Sequence, residues 1–130
     1  MLIFGHRFIL SDSFYHVQSI EGILNSPPSS IIYLDFSEKN LDIIEHLKEN
    51  QIPFALNVKN ITEIIYASSL EASFIMIEQN LVKIANDIAN NYLFDAKVIV
   101  HIKDESEIEE MAILGVDGVV FNNAIVKINS

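Results

Sequence analysis

His6 and Arg7 stand side by side near the start of the chain, and His101 stands two residues before Lys103. An imidazole beside a guanidinium suits acid–base chemistry on an anionic substrate: the histidine moves a proton and the arginine holds negative charge. A second set of polar residues, Asp35, Asn57, Glu78 and Asn122, each follows a short apolar run, with Lys59, Gln79 and Asn123 nearby. Those groups suit a polar ligand or a cation. The candidate catalytic residues are therefore His6, Arg7 and His101, and the candidate ligand-binding residues are Asp35, Asn57, Glu78 and Asn122. Each also has an ordinary job available. Asp, Asn, Gln and Glu cap helices and close turns, and a histidine in an apolar strand is commonly a satisfied core residue. His16 and His46 read as surface groups on helices. No two histidines have the spacing of a helical metal pair, so no metal site and no cofactor are expected from local motifs.

Elements must position these groups, and the chain announces them by rhythm. Six apolar, β-rich runs recur about every twenty to twenty-four residues, separated by stretches with helical apolar spacing. Strands are expected at 2–10, 31–36, 54–58, 74–77, 98–102 and 118–121, with a short terminal addition at 124–128. Gly5 marks a bulge or a close approach. Ser37, Asn60 with Glu63, and Asp104 with Glu107 open helices as caps. Leu81, Ile84, Ala85, Ile88 and Tyr92 recur as one inward helical face, and Gly115 suits a left-handed helix end.

Continuous apolar strands alternating with helices specify a single α/β domain over residues 1–130 with a mainly parallel sheet of about six strands. Helices on both faces would make three layers. The expected form is an open, doubly wound sheet; the alternative is an incomplete (β/α) barrel, since a complete eightfold one needs roughly 200 residues. In either form ligands sit beyond the carboxyl ends of the strands, where the polar candidates fall.

Composition bounds the partners. Eight basic against eighteen acidic side chains give a net charge of −10, which repels phosphate backbones and anionic headgroups, so neither nucleic acid nor membrane is expected as a partner. No apolar run approaches the roughly 20 residues that span a bilayer, and the first residues do not read as a signal peptide. With no cysteine, thiolate nucleophiles and disulfides are excluded. The chain reads as cytoplasmic. The dinucleotide-binding and phosphate-loop glycine motifs are absent, as is the nucleophile elbow.

Residues 97–104, then 107–114, then Gly115-Val116-Asp117-Gly118-Val119-Val120, resemble the last βαβ turn of glycerophosphodiester phosphodiesterase barrels. Those enzymes also place His-Arg on the first strand, as His6-Arg7 does here. The likeness covers about 30 residues well and the N-terminus loosely. Phe8 stands where that family has glycine, and its Glu-Asn-Thr motif, its acidic strand motif and its second His-Asp pair have no counterpart. The resemblance implies a shortened barrel relative without the metal site.

The functional expectation is a small α/β protein of non-catalytic binding or self-association type, forming a homodimer and taking a small polar ligand or a protein partner. The alternative is a metal-assisted phosphodiester hydrolase of shortened barrel type.

Overall fold

The computed structural model describes residues 1–128. Eight strands form one sheet: β1 (Leu2–Phe4), β2 (Phe14–His16), β3 (Ile31–Asp35), β4 (Phe54–Asn57), β5 (Phe74–Ile77), β6 (Lys97–His101), β7 (Gly118–Val120) and β8 (Ile125–Lys127). Five helices connect them: α1 (Ile20–Leu24), α2 (Leu41–Glu49), α3 (Ile61–Ser69), α4 (Val82–Tyr92) and α5 (Ile108–Leu114). Every ladder is parallel, in the order β1-β7-β6-β5-β4-β3-β2-β8.

The sheet is not flat. β1 and β2 are separated by five intervening strands, which in an open sheet would hold them about 29 Å apart at a spacing of about 4.8 Å per strand. Yet the Phe4 and Phe14 ring centroids lie 4.9 Å apart, and both rings meet Phe74 of β5 at 5.7 Å. Only a curled sheet brings these positions together. The two apolar clusters agree. The smaller one contains Phe4, Phe14, Tyr33, Ala55, Met76, Ile99 and Val120 from seven strands and no residue of α1–α5. The larger joins the opposite face of the strands to Ile44, Leu47, Ile64, Ala85 and Met111 of the helices. The open, doubly wound sheet of about six strands is therefore replaced by an eight-strand incomplete barrel with helices on one face only. The helical layer expected on the second face is absent because aromatic rings of the strands themselves fill that space.

The count rises to eight because β2 forms where the sequence predicts a helix, and the terminal addition expected at 124–128 forms as β8. The run 2–10 ends at Phe4, since Gly5 turns the chain with φ +91°. A Cβ on Gly5 would lie 2.8 Å from Asn123 Oδ1 and 3.1 Å from the Ala124 nitrogen, so the close approach expected at this glycine is real. The chain re-enters the sheet as β2, which places His16 on a strand and not on a helix. A single turn at Asn122–Ala124 separates β7 from β8, in keeping with the separate spans expected at 118–121 and 124–128. First and last segments thus pair twice, β1 with β7 and β2 with β8, on either side of a seam.

The caps form largely as the sequence implies. Asn60 Oδ1 accepts the Glu63 N–H at 2.9 Å, and Asp104 with Glu107 makes a full capping box. Gly115 ends α5 at φ +83°. Ser37 opens a turn without a side-chain capping bond. The face of α4 is rotated from expectation: Val82 and Ala85 are buried, whereas Ile84 is 42% exposed and Tyr92 is exposed.

Candidate functional site

Because all eight strands run the same way, their carboxyl ends form one rim. Residues in register share a face, and faces alternate along a strand. From Phe4 in the inner cluster, the register runs through Val120 to His101. Likewise Ile99 leads through Met76 and Asn57 to Asp35, and Tyr33 leads through His16 to Lys127. His101, Asn57, Asp35 and His16 therefore share the inner face at the rim. The expectation that polar candidates gather at the carboxyl ends holds for placement.

They do not converge on one point. Asn57 Nδ2 donates to Asp35 Oδ1 at 3.1 Å, and His101 pairs through Nε2 with Asn122 Oδ1. Glu78 is exposed, but its charge and that of Asp35 reinforce burial in raising the Tyr33 phenol far above its ordinary range, so Tyr33 stays neutral. His6 and Arg7 belong to a third group at the seam.

That seam holds an open cleft of about 830 Å³ between residues 5–13, Lys103–Glu105 and Phe121–Ala124. His6 Nε2 lies 2.7 Å from Glu105 Oε2, while His6 Nδ1 accepts the Phe8 N–H at 3.1 Å. The acceptor role at Nδ1 puts the ring proton on Nε2, which donates to the carboxylate. The His6 ring also packs between Phe8 and Phe121, at 5.0 and 5.5 Å. Arg7 is two-thirds exposed; its Cζ stands 4.5 Å over the Phe8 ring and its nitrogen 3.5 Å from the same Glu105 oxygen. The His6 bond, then the Arg7 charge, lowers the Glu105 carboxyl below its ordinary range. Alongside, Glu107 is lowered by the Gln79 amide bond and by the Lys103 and Asp104 backbone N–H groups. His101 does not line this cleft.

Among the described residues, no group of three or more histidine, aspartate or glutamate side chains is placed to hold a metal ion. The Gly-Val-Asp-Gly segment has a structural task at the opposite, amino ends of the strands. Asp117 Oδ2 accepts the Val98 N–H at 2.8 Å, and its carbonyl accepts the Leu2 N–H at 2.8 Å, aligning β7 between its neighbours. Gly118 has no room for a side chain, with Leu2 Cβ and O both 3.0 Å from where a Cβ would stand.

Two participants lie outside the candidate set. Glu105 follows the Asp104 cap, where nothing local points to His6; only the fold brings the two together. His16, expected on a helix, stands on β2; Phe14-Tyr15-His16-Val17 is rich in β-formers and precedes the cap Ser19, a signal that favours a strand.

No protein family matches this chain, and no curated protein matches it.

Proposed function

We propose that this protein is a non-catalytic binding domain that takes a small polar ligand in the seam cleft. The supporting observation is the engagement of the two candidate catalytic histidines by protein partners. Both ring nitrogens of His6 are engaged, by Phe8 and Glu105, and His101 is engaged by Asn122. General acid–base catalysis needs an acid and a base facing a common reacting atom, and these two histidines face different partners. The cleft nevertheless stays open, with the Arg7 guanidinium, Lys103 and Ser13 on its walls. Such a surface suits recognition through hydrogen bonds and a charged anchor.

A fragment screen followed by 1H–15N NMR tests this reading. Binding should shift signals of residues 5–13 and 103–105 and weaken at least tenfold in Arg7→Ala. Metal-dependent hydrolysis of bis(p-nitrophenyl) phosphate, abolished in His6→Gln, would overturn it in favour of a hydrolase.

Self-association is a second reading of the same seam. It is favoured by the run Phe8-Ile9-Leu10, which stands out from the surface with Phe8 76% and Leu10 fully exposed.

A further inference from the structure

We propose that a separate pocket beside β2, β3 and the start of α2 binds small molecules carrying a carboxylate with a hydrogen-bond donor, ammonium or hydroxyl, on the adjacent carbon. Elsewhere on the rim, polar side chains satisfy one another: His6 with Glu105, His101 with Asn122, Gln79 with Glu107. Here Asp35 meets Asn57 with one oxygen only, and the side chains that line the pocket make no hydrogen bond to one another among the described residues. His16, Gln18, Asp35 and Lys39 line a cavity of about 270 Å³, room for roughly nine waters or a solute of that bulk.

Among the described residues, the ion pairs join Glu105 to His6 and Arg7, and none closes this pocket. His16 is half-buried with its ring 4.9 Å from Tyr33, an arrangement that fixes the imidazole while its nitrogens make no hydrogen bond within the described residues. The Lys39 ammonium and the Gln18 amide likewise have no protein partner there. Asp35 is oriented from two sides. Its Oδ1 accepts from Asn57, and its carbonyl accepts from the buried Asn40 amide at 2.9 Å. The second carboxylate oxygen makes no hydrogen bond within the described residues.

The charges select the ligand. A simple anion would meet the Asp35 carboxylate, and a simple cation would meet Lys39. A molecule with both an acceptor and a donor satisfies each wall: its carboxylate faces Lys39, Gln18 and His16, and its ammonium or hydroxyl faces Asp35. This site is distinct from the seam cleft and does not depend on it.

Titrations of the protein with L-alanine, L-lactate and acetate, followed by 1H–15N NMR, test the proposal. L-Alanine or L-lactate should give saturable shifts at residues 16–18 and 35–40, with Kd at or below about 10 mM. Shifts with alanine alone assign an ammonium donor, and with lactate alone a hydroxyl. Acetate should bind at least tenfold more weakly. Lys39→Ala, at an exposed position, and Asp35→Asn, which keeps an acceptor for Asn57, should each weaken binding at least tenfold. Equal affinity for acetate, indifference to Lys39→Ala, or shifts confined to residues 5–13 and 103–105 would overturn it.

Discussion

His6 and Glu105 meet at 2.7 Å although 99 positions separate them in the chain. Their bond ties the loop after β1 to the loop after β6, and it settles the histidine's tautomer through Phe8. Because the pair is solvent-facing on the glutamate side, it orders a loop more than it stabilises the domain. Glu105→Ala should leave the melting temperature nearly unchanged while accelerating amide hydrogen exchange at Phe8 and Ile9. Unchanged exchange there would show that the loop is held by other contacts.

The rotated face of α4 makes a sharp contrast. Ala85→Asp places an unpaired charge in the core and should cost about 3–5 kcal/mol. Ile84→Asp, on a partly exposed position, should cost no more than about 1 kcal/mol. Urea denaturation of both variants measures the difference; equal losses would contradict the face assignment.

Phe14 should matter far more than Phe8, though both are phenylalanines near the seam. Phe14→Ala removes the ring that packs against Phe4, Phe74 and Tyr33, and should cost about 3–5 kcal/mol. Phe8→Ala should stay within about 0.5 kcal/mol. A small effect at Phe14 would contradict a filled barrel interior.

The Glu107 carboxyl is lowered below its ordinary value of 4.5 by the amide of Gln79 and by two backbone N–H groups. A lowered folded-state pKa means that the unfolded chain binds the proton first as pH falls. The contribution is therefore fully present above 4.5 and is lost progressively as pH drops through that value toward the folded one. Glu107→Ala should lower the melting temperature at pH 7, and the gap to the parent should narrow on acidification. A gap independent of pH would refute the ionised capping box.

Light scattering at micromolar concentration in 0.15 M salt addresses association. The dispersed negative charge is screened beyond about 8 Å under these conditions, so burial of Phe8, Ile9 and Leu10 should prevail and give a dimer mass. Phe8→Ser with Leu10→Ser should return the mass to one chain. A monomer from the parent protein would refute self-association.

Much of the fold was legible because its signals are local. The β5 span 74–77, the Asp104–Glu107 box and the Gly115 helix end follow from apolar runs, cap chemistry and a glycine that tolerates positive φ. The alternation of strands and helices likewise placed Asp35, Asn57, Glu78, His101 and Asn122 at one rim, since parallel strands share a carboxyl end. Curvature was not legible. Flat and curled parallel sheets share the same βα rhythm, and the difference rests on the Phe4, Phe14 and Phe74 rings meeting across the interior. The end of β1 at Gly5 was hidden too, because Phe8, Ile9 and Leu10 extend the apolar run while lying outside the sheet. The candidate site followed curvature. Which polar groups pair, His6 with Glu105 and His101 with Asn122, and which make no side-chain hydrogen bond among the described residues, His16 and Lys39, depends on loops brought together by the curled sheet. That is a property of side-chain direction and long-range register, which no local spacing encodes.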